Sequence, residues 1–139
     1  SVEISNCRFN AIPTRGILVT ARGKIRIHDN EFTNVAMANV FISNDANDWY
    51  ESGPVRDVEI YNNKFIVTEN NLPKFIDCSA ILVQPITFGG KVTAPVHKNI
   101  YIHSNYFDVR RDRVITAHGV ENLRTEDNEY KNISTVKIN

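Results

Sequence analysis

Residues 43–54 hold the side chains best suited to chemistry: Asp45, Asp48 and Glu51 cluster around Trp49, the only tryptophan of the chain, ahead of a turn at Gly53 and Pro54. An aromatic ring offers an apolar face to the C–H side of a pyranose. Carboxylates beside it accept hydrogen bonds from sugar hydroxyls, or do acid and base work on a glycosidic bond. The competing reading packs Trp49 and Tyr50 over an edge of the fold and leaves the acids solvated. His118 follows an apolar run as Asp45 does, which predicts both on one rim.

The remaining polar groups read as structural. His28 and His103 occupy comparable slots and are expected to stack facing outward; His97 reads as a loop residue. The basic run Arg110, Arg111 and Arg113 reads as a solvated face, and Gly89 with Gly90 as a turn. No HExxH, calcium-binding loop or glycine-rich phosphate loop occurs, so no metal and no cofactor is expected. Cys7 and Cys78 have no metal-ligand spacing and read as two semi-buried thiols rather than a disulfide.

The elements that position these residues come from a phrase that recurs five times: an alternating apolar pair, a few polar residues with one Asn, then an aromatic. The Asn slot is filled by Asn6, Asn30, Asn63, Asn105 and Asn128, at intervals of 24, 33, 42 and 23 residues. Val2/Ile4, Ile25/Ile27, Val58/Ile60 and Ile100/Ile102 begin the phrases with period-2 alternation, the mark of a strand with one buried face. Phe9, Phe32, Phe65, Phe107 and Tyr130 close them as an aromatic column. Asn tolerates the left-handed backbone of a sharp bend, and its amide can bond the Asn above and below. A second strand follows each bend at 16–19, 39–42, 80–83 and 113–116. Two strand columns and a bend ladder predict an all-β right-handed parallel β-helix of about five coils, a single domain over 1–139. Few segments carry helical spacing, and five prolines punctuate the inserts.

Insertions in such a solenoid gather on its binding face. After the second strand the rim reads Thr20, Ala21, Arg22, then Asn44 and Asp45, then Gln84, then Thr116 to His118. A polar row of this kind makes a groove along the axis, suited to an extended or branched carbohydrate.

Composition excludes other partners. The 16 basic and 16 acidic residues cancel and the isoelectric point is near 6.9, which argues against a polyanion such as nucleic acid. No apolar run approaches the roughly 20 residues of a membrane span. Because the first and last phrases look like internal ones, the chain reads as a fragment of a longer protein, and self-association through open ends is expected.

Residues 16–24, 44–57 and 62–65 together resemble the α-1,3-galactosidases of glycoside hydrolase family 110. The resemblance implies a pectin-lyase-like β-helix that hydrolyses terminal α-1,3-linked galactose with inversion and without a metal, in an extracellular or periplasmic setting. It implies a catalytic role for Asp45, with Asp48 and Glu51 next. Trp49, Asn44, Arg22, Gln84 and His118 are the expected substrate-binding residues. Rim positions Thr20, Gln84 and Thr116 are not acidic, a departure from a family whose carboxylates come from several coils. The piece alone is therefore expected to have little activity, and the alternative is a non-catalytic glycan-binding or adhesin-type β-helix.

Overall fold

The computed structural model describes residues 1–19, 23–43, 57–68, 79–83, 97–109, 114–131 and 136–138. They are all-β, without a helix, and form three sheets in which every pairing is parallel. Sheet A joins β1 (Val2–Ser5), β4 (Lys24–His28), β7 (Asp57–Tyr61), β10 (His97–His103) and β13 (Val120–Glu126). Sheet B joins β2 (Arg8–Asn10), β5 (Glu31–Thr33), β8 (Lys64–Ile66), β11 (Tyr106–Asp108) and β14 (Glu129–Tyr130). Sheet C joins β3 (Ile17–Val19), β6 (Val40–Ile42), β9 (Ile81–Val83), β12 (Ile115–Ala117) and β15 (Val136–Ile138). The chain passes through A, B and C in turn and then begins again, an order consistent with a β-solenoid. There are three strand columns, not two, because the recurring phrase bends in its middle and feeds two different sheets.

The core is built of columns that run across the passes. In sheet A, Ile25, Val58 and Ile100 stack in register, as do Ile27, Ile60 and Ile102, all nearly inaccessible to solvent. Sheet C contributes Ile17, Val40, Ile81 and Ile115, with Val19, Ile42, Val83 and Ala117 beside them. Sheet B contributes the aromatic column, its rings stacked at 4.7, 4.9, 4.9 and 5.3 Å and within 8° of parallel. Isolated rings prefer offset or edge-on contacts. Here the spacing of parallel strands, about 4.8 Å, imposes face-to-face stacking.

The A–B corner is held by an amide ladder. Asn63 uses its whole hydrogen-bonding capacity: Nδ2 donates to Ile27 O at 3.0 Å and to Asn105 Oδ1 at 3.1 Å. Its Oδ1 accepts from Asn30 N at 3.0 Å and Asn30 Nδ2 at 3.1 Å. Asn30 and Asn105 repeat the pattern, and Asn128 continues it. The first rung is Cys7 rather than Asn6, since Cys7 N donates to Asn30 Oδ1 at 3.0 Å across 23 residues. Asn6 instead aligns with Asp29, Asn62, Ser104 and Asp127, whose φ angles lie between 54° and 57°. Bend and ladder are thus two adjacent columns, not one: a short polar residue takes the left-handed backbone, and the next residue supplies the amide. Cys7 is exposed and free, against the expected semi-buried thiol; Cys78 lies outside the described residues.

One polar group breaks the pattern. Asn39 precedes β6 in register with Gly16, Ala80 and Val114. Ala80 and Val114 belong to the core, and a Cβ on Gly16 would come within 2.5 Å of the Asn39 carbonyl and 3.1 Å of the Phe32 ring. Asn39 is 1% exposed, and neither amide atom has a partner.

Two stability outcomes follow. Asn63→Ala strands the Asn30 N–H and the Ile27 carbonyl in the interior and is expected to destabilise by about 3 kcal/mol, read from denaturant unfolding. Asn39→Ala, which installs the residue type of position 80, is expected to raise the melting temperature. A lower one would show the amide is held by buried water.

Candidate functional site

The fixed ladder decides where loops can go. The A–B corner is two residues long in every pass (6–7, 29–30, 62–63, 104–105, 127–128), because a longer bend would break the rung. Length varies only at the other corners. The C–A corner contains 20–23 and 118–119 but also 43–56 and 84–96, while 67–80 is the long connection between sheets B and C. The segments 43–56 and 84–96 leave the same corner from adjacent strands of sheet C, so their roots lie about 4.8 Å apart along the axis.

Asn44, Asp45, Asp48, Trp49, Glu51, Arg22 and Gln84 lie outside the described residues. What the structure places is their framework. Ser43 N donates to Val19 O at 2.9 Å, so the segment departs only after Ser43. At its far end Asp57 meets Arg26, Oδ1 to Nη1 at 3.1 Å. His118 is half-buried, with its N–H on Val83 O at 2.8 Å. The pairing of β6, β9 and β12 aligns Ser43, not Asp45, with His118. Thr116, expected on the rim, is fully buried within β12, and its hydroxyl bonds that of Ser79. Among the described residues, the positions directly after sheet C are therefore Ser43 and His118; Thr20, like Asn44, Asp45 and Gln84, lies outside the described residues. Counting the alternation of Val40 and Ile42 one step further would have found Ser43 in the sequence.

Outward positions on sheet C form a second row: Leu18, Phe41, Leu82 and Thr116. Leu18 is 58% exposed, whereas Phe41 and Leu82 are buried and pack with Ala38. The Arg15 guanidinium lies over the Phe41 ring, 4.7 Å from its centroid.

The outer face of sheet A also gathers acids and rings, but it uses them up. His28, Tyr61 and His103 stack at 4.7 and 5.2 Å, and Tyr101 covers His103 at 4.1 Å. Arg124 in turn covers Tyr101 at 4.4 Å. Glu59 lies between Arg26, at 3.3 Å, and His103 Nε2. Glu126 accepts from Arg124 at 2.9 Å and Tyr101 at 2.8 Å, which lowers its pKa below the ordinary carboxylate value. These ring faces have neighbours and these carboxylates have cations, so the surface works as an outer layer of the fold. The outward histidine stack expected from sequence is present, with Tyr61 between its two members. An open hollow at the A–B corner is lined by bend residues, Asp29 among them, and by Arg8, Glu31 and Lys64, so that two positive and two negative groups face it. Among the described residues no group of three His, Cys, Asp or Glu could hold a metal ion, and no helix is long and apolar enough to cross a membrane.

No family model matches the chain. It is 36% identical over 138 residues to α-1,3-galactosidase A of Peterkaempfera griseoplana, covering 99% of this chain and 18% of that protein. Against α-1,3-galactosidase A of Bacteroides thetaiotaomicron it is 35% identical over 138 residues, 98% of this chain and 22% of the relative. Against α-1,3-galactosidase B of the same organism it is 37% identical over 128 residues, 91% and 20%. The chain spans about a fifth of the length of the curated relatives it matches. Its similarity to the α-1,3-galactosidases thus runs along nearly the whole chain, well beyond residues 16–65.

His28 supplies a test of the sheet A surface. Nδ1 lies 2.6 Å from Asp29 and Nε2 contacts Glu3 at 3.1 Å, an ion pair rather than an aligned hydrogen bond. The hydrogen bond to Asp29 first, then the contact with Glu3, raises its pKa above 6.5. A raised folded-state value means the stabilisation is complete below the unfolded pKa and is lost as pH rises through the folded one. Melting temperature is expected to fall across that window in the wild type and to flatten in His28→Gln. Equal slopes in both would remove His28 as the cause.

Proposed function

We propose that this chain is part of a glycoside hydrolase that releases terminal α-1,3-linked galactose with inversion of configuration, its framework a right-handed parallel β-helix of about five turns. The observation that carries the reading is the match to α-1,3-galactosidases along almost the full chain. The local architecture supports it, since the acid- and tryptophan-bearing connection leaves the one corner where two long segments rise from adjacent strands. Inversion needs two carboxyl groups roughly 6.5–9.5 Å apart, one protonating the leaving oxygen while the other activates water. Asp45 is the first choice for one of them, with Asp48 and Glu51 as further candidates. Trp49 serves as a sugar platform, and Asn44, Arg22, Gln84 and His118 as hydroxyl contacts. The substrate is a galactose-terminated glycan, and an extracellular or periplasmic setting goes with it.

Hydrolysis of a terminal α-1,3-galactosyl disaccharide, followed by NMR of the released anomer, tests this. Assayed in the full-length protein, the wild type is expected to release β-galactose, and Asp45→Asn to lose at least about 100-fold in rate. Galactose binding without turnover in either protein would replace the hydrolase with a glycan-binding module.

A further inference from the structure

Sheets A and B have edge strands on both sides, β1 and β2 at the first pass and β13 and β14 at the last. Positions that are nearly inaccessible within the columns are only half-buried at these edges: Ile4 and Phe9 at one end, Leu123 and Tyr130 at the other. Strand edges of this kind are templates for a further strand.

The two ends match each other. On the outer face of sheet A one register column reads Glu3, Arg26, Glu59, Tyr101, Arg124. On sheet B another reads Arg8, Glu31, Lys64, Tyr106, Glu129. Each alternates in sign, is interrupted by a tyrosine in the same pass, and closes on the charge opposite to the one it opens with. A copy placed after the last pass sets Glu3 against Arg124 and Arg8 against Glu129, all four exposed. The same register lays Val2 on Leu123 and the Phe9 ring on that of Tyr130, which prolongs the aromatic column. Only a head-to-tail copy does this, because a two-fold pairing of like ends makes the edge strands antiparallel.

The amide ladder is the weak point of the match. Each rung from Asn30 to Asn105 gives its N–H and an Nδ2 hydrogen to the Oδ1 of the following pass. Asn128 carries the same donors, but the copy brings Cys7 to that position, and Cys7 has no side-chain oxygen. The ladder therefore stops at the junction while the columns beside it continue.

We propose that the last pass of this chain is a docking surface for the first pass of a second copy, stacked head to tail with sheets A and B continuous and Cys7 as the missing rung. Such a contact does not close on itself, so it builds open stacks.

Sedimentation velocity of the 139-residue chain over a range of concentrations, under reducing conditions and with melting temperatures taken in parallel, tests it. The wild type is expected to form dimers and longer stacks as concentration rises. Arg124→Glu combined with Glu129→Arg, whose register neighbours within the chain are Tyr101 and Tyr106, is expected to stay monomeric. Cys7→Asn, which supplies the absent oxygen, is expected to tighten association about tenfold, the equivalent of one added hydrogen bond. Cys7→Ala is expected to associate as the wild type does. Comparing Cys7→Asn with Cys7→Ala decides the matter even where the charge reversal lowers the melting temperature. Stacking by a folded charge-reversed variant, or equal affinity in the two Cys7 variants, overturns the register. A wild type that is monomeric at every concentration overturns the docking surface and leaves these edges to further passes of a longer chain.

Discussion

Parallel strands repeat at about 4.8 Å, and every side chain in this protein must be compatible with a copy of its own kind at that distance. Aliphatic side chains meet the condition by packing. Aromatic rings meet it by stacking flat, as the column from Phe9 to Tyr130 does. Charged groups must alternate, as Glu3, Arg26 and Glu59 do on the outside of sheet A. A buried polar group can meet it only if its donors and acceptors match themselves across one repeat. The carboxamide of Asn does so, and the A–B corner is built from it.

That single requirement partitions the molecule. A rung tolerates no change in corner length, so sheets A and B are joined identically in every pass. The inserted sequence is confined to the two corners without a ladder, and the connections at the C–A corner range from two residues at 118–119 to 43–56. The separation of frame and site lets the loops vary while the strand ends from which they spring stay fixed.

Much of the frame was legible in the sequence because apolar alternation, Asn and Phe recur with it. The columns of sheet A and the aromatic column lie where the pattern put them, and so do the outward histidines. Beyond the missed third strand column, the errors were of one or two residues. Asn6 and Cys7 exchange roles because the bend column also favours Asn, and nothing in composition separates a left-handed Asn from a bonded one. Thr116 and His118 were placed on the rim without the strand register, which puts Thr116 within β12, in its outward row but buried, and brings Ser43 level with His118. The candidate site was read as chemistry alone, from Asp45, Trp49 and Glu51, which lie outside the described residues. Those candidates belong to a connection that does not repeat, and periodicity says nothing about a segment without a counterpart in the next pass.

The ladder also has a sense of direction. Every Nδ2 hands its hydrogen to the Oδ1 of the following pass, so the side-chain carbonyls all face the preceding one. Aligned amide dipoles polarise one another, which strengthens each bond in the row. Reversing one amide would set oxygen against oxygen on one side and hydrogen against hydrogen on the other. The orientation of each Asn is therefore inherited from its neighbours, and the A–B corner carries a polarity along the axis that no single residue chooses.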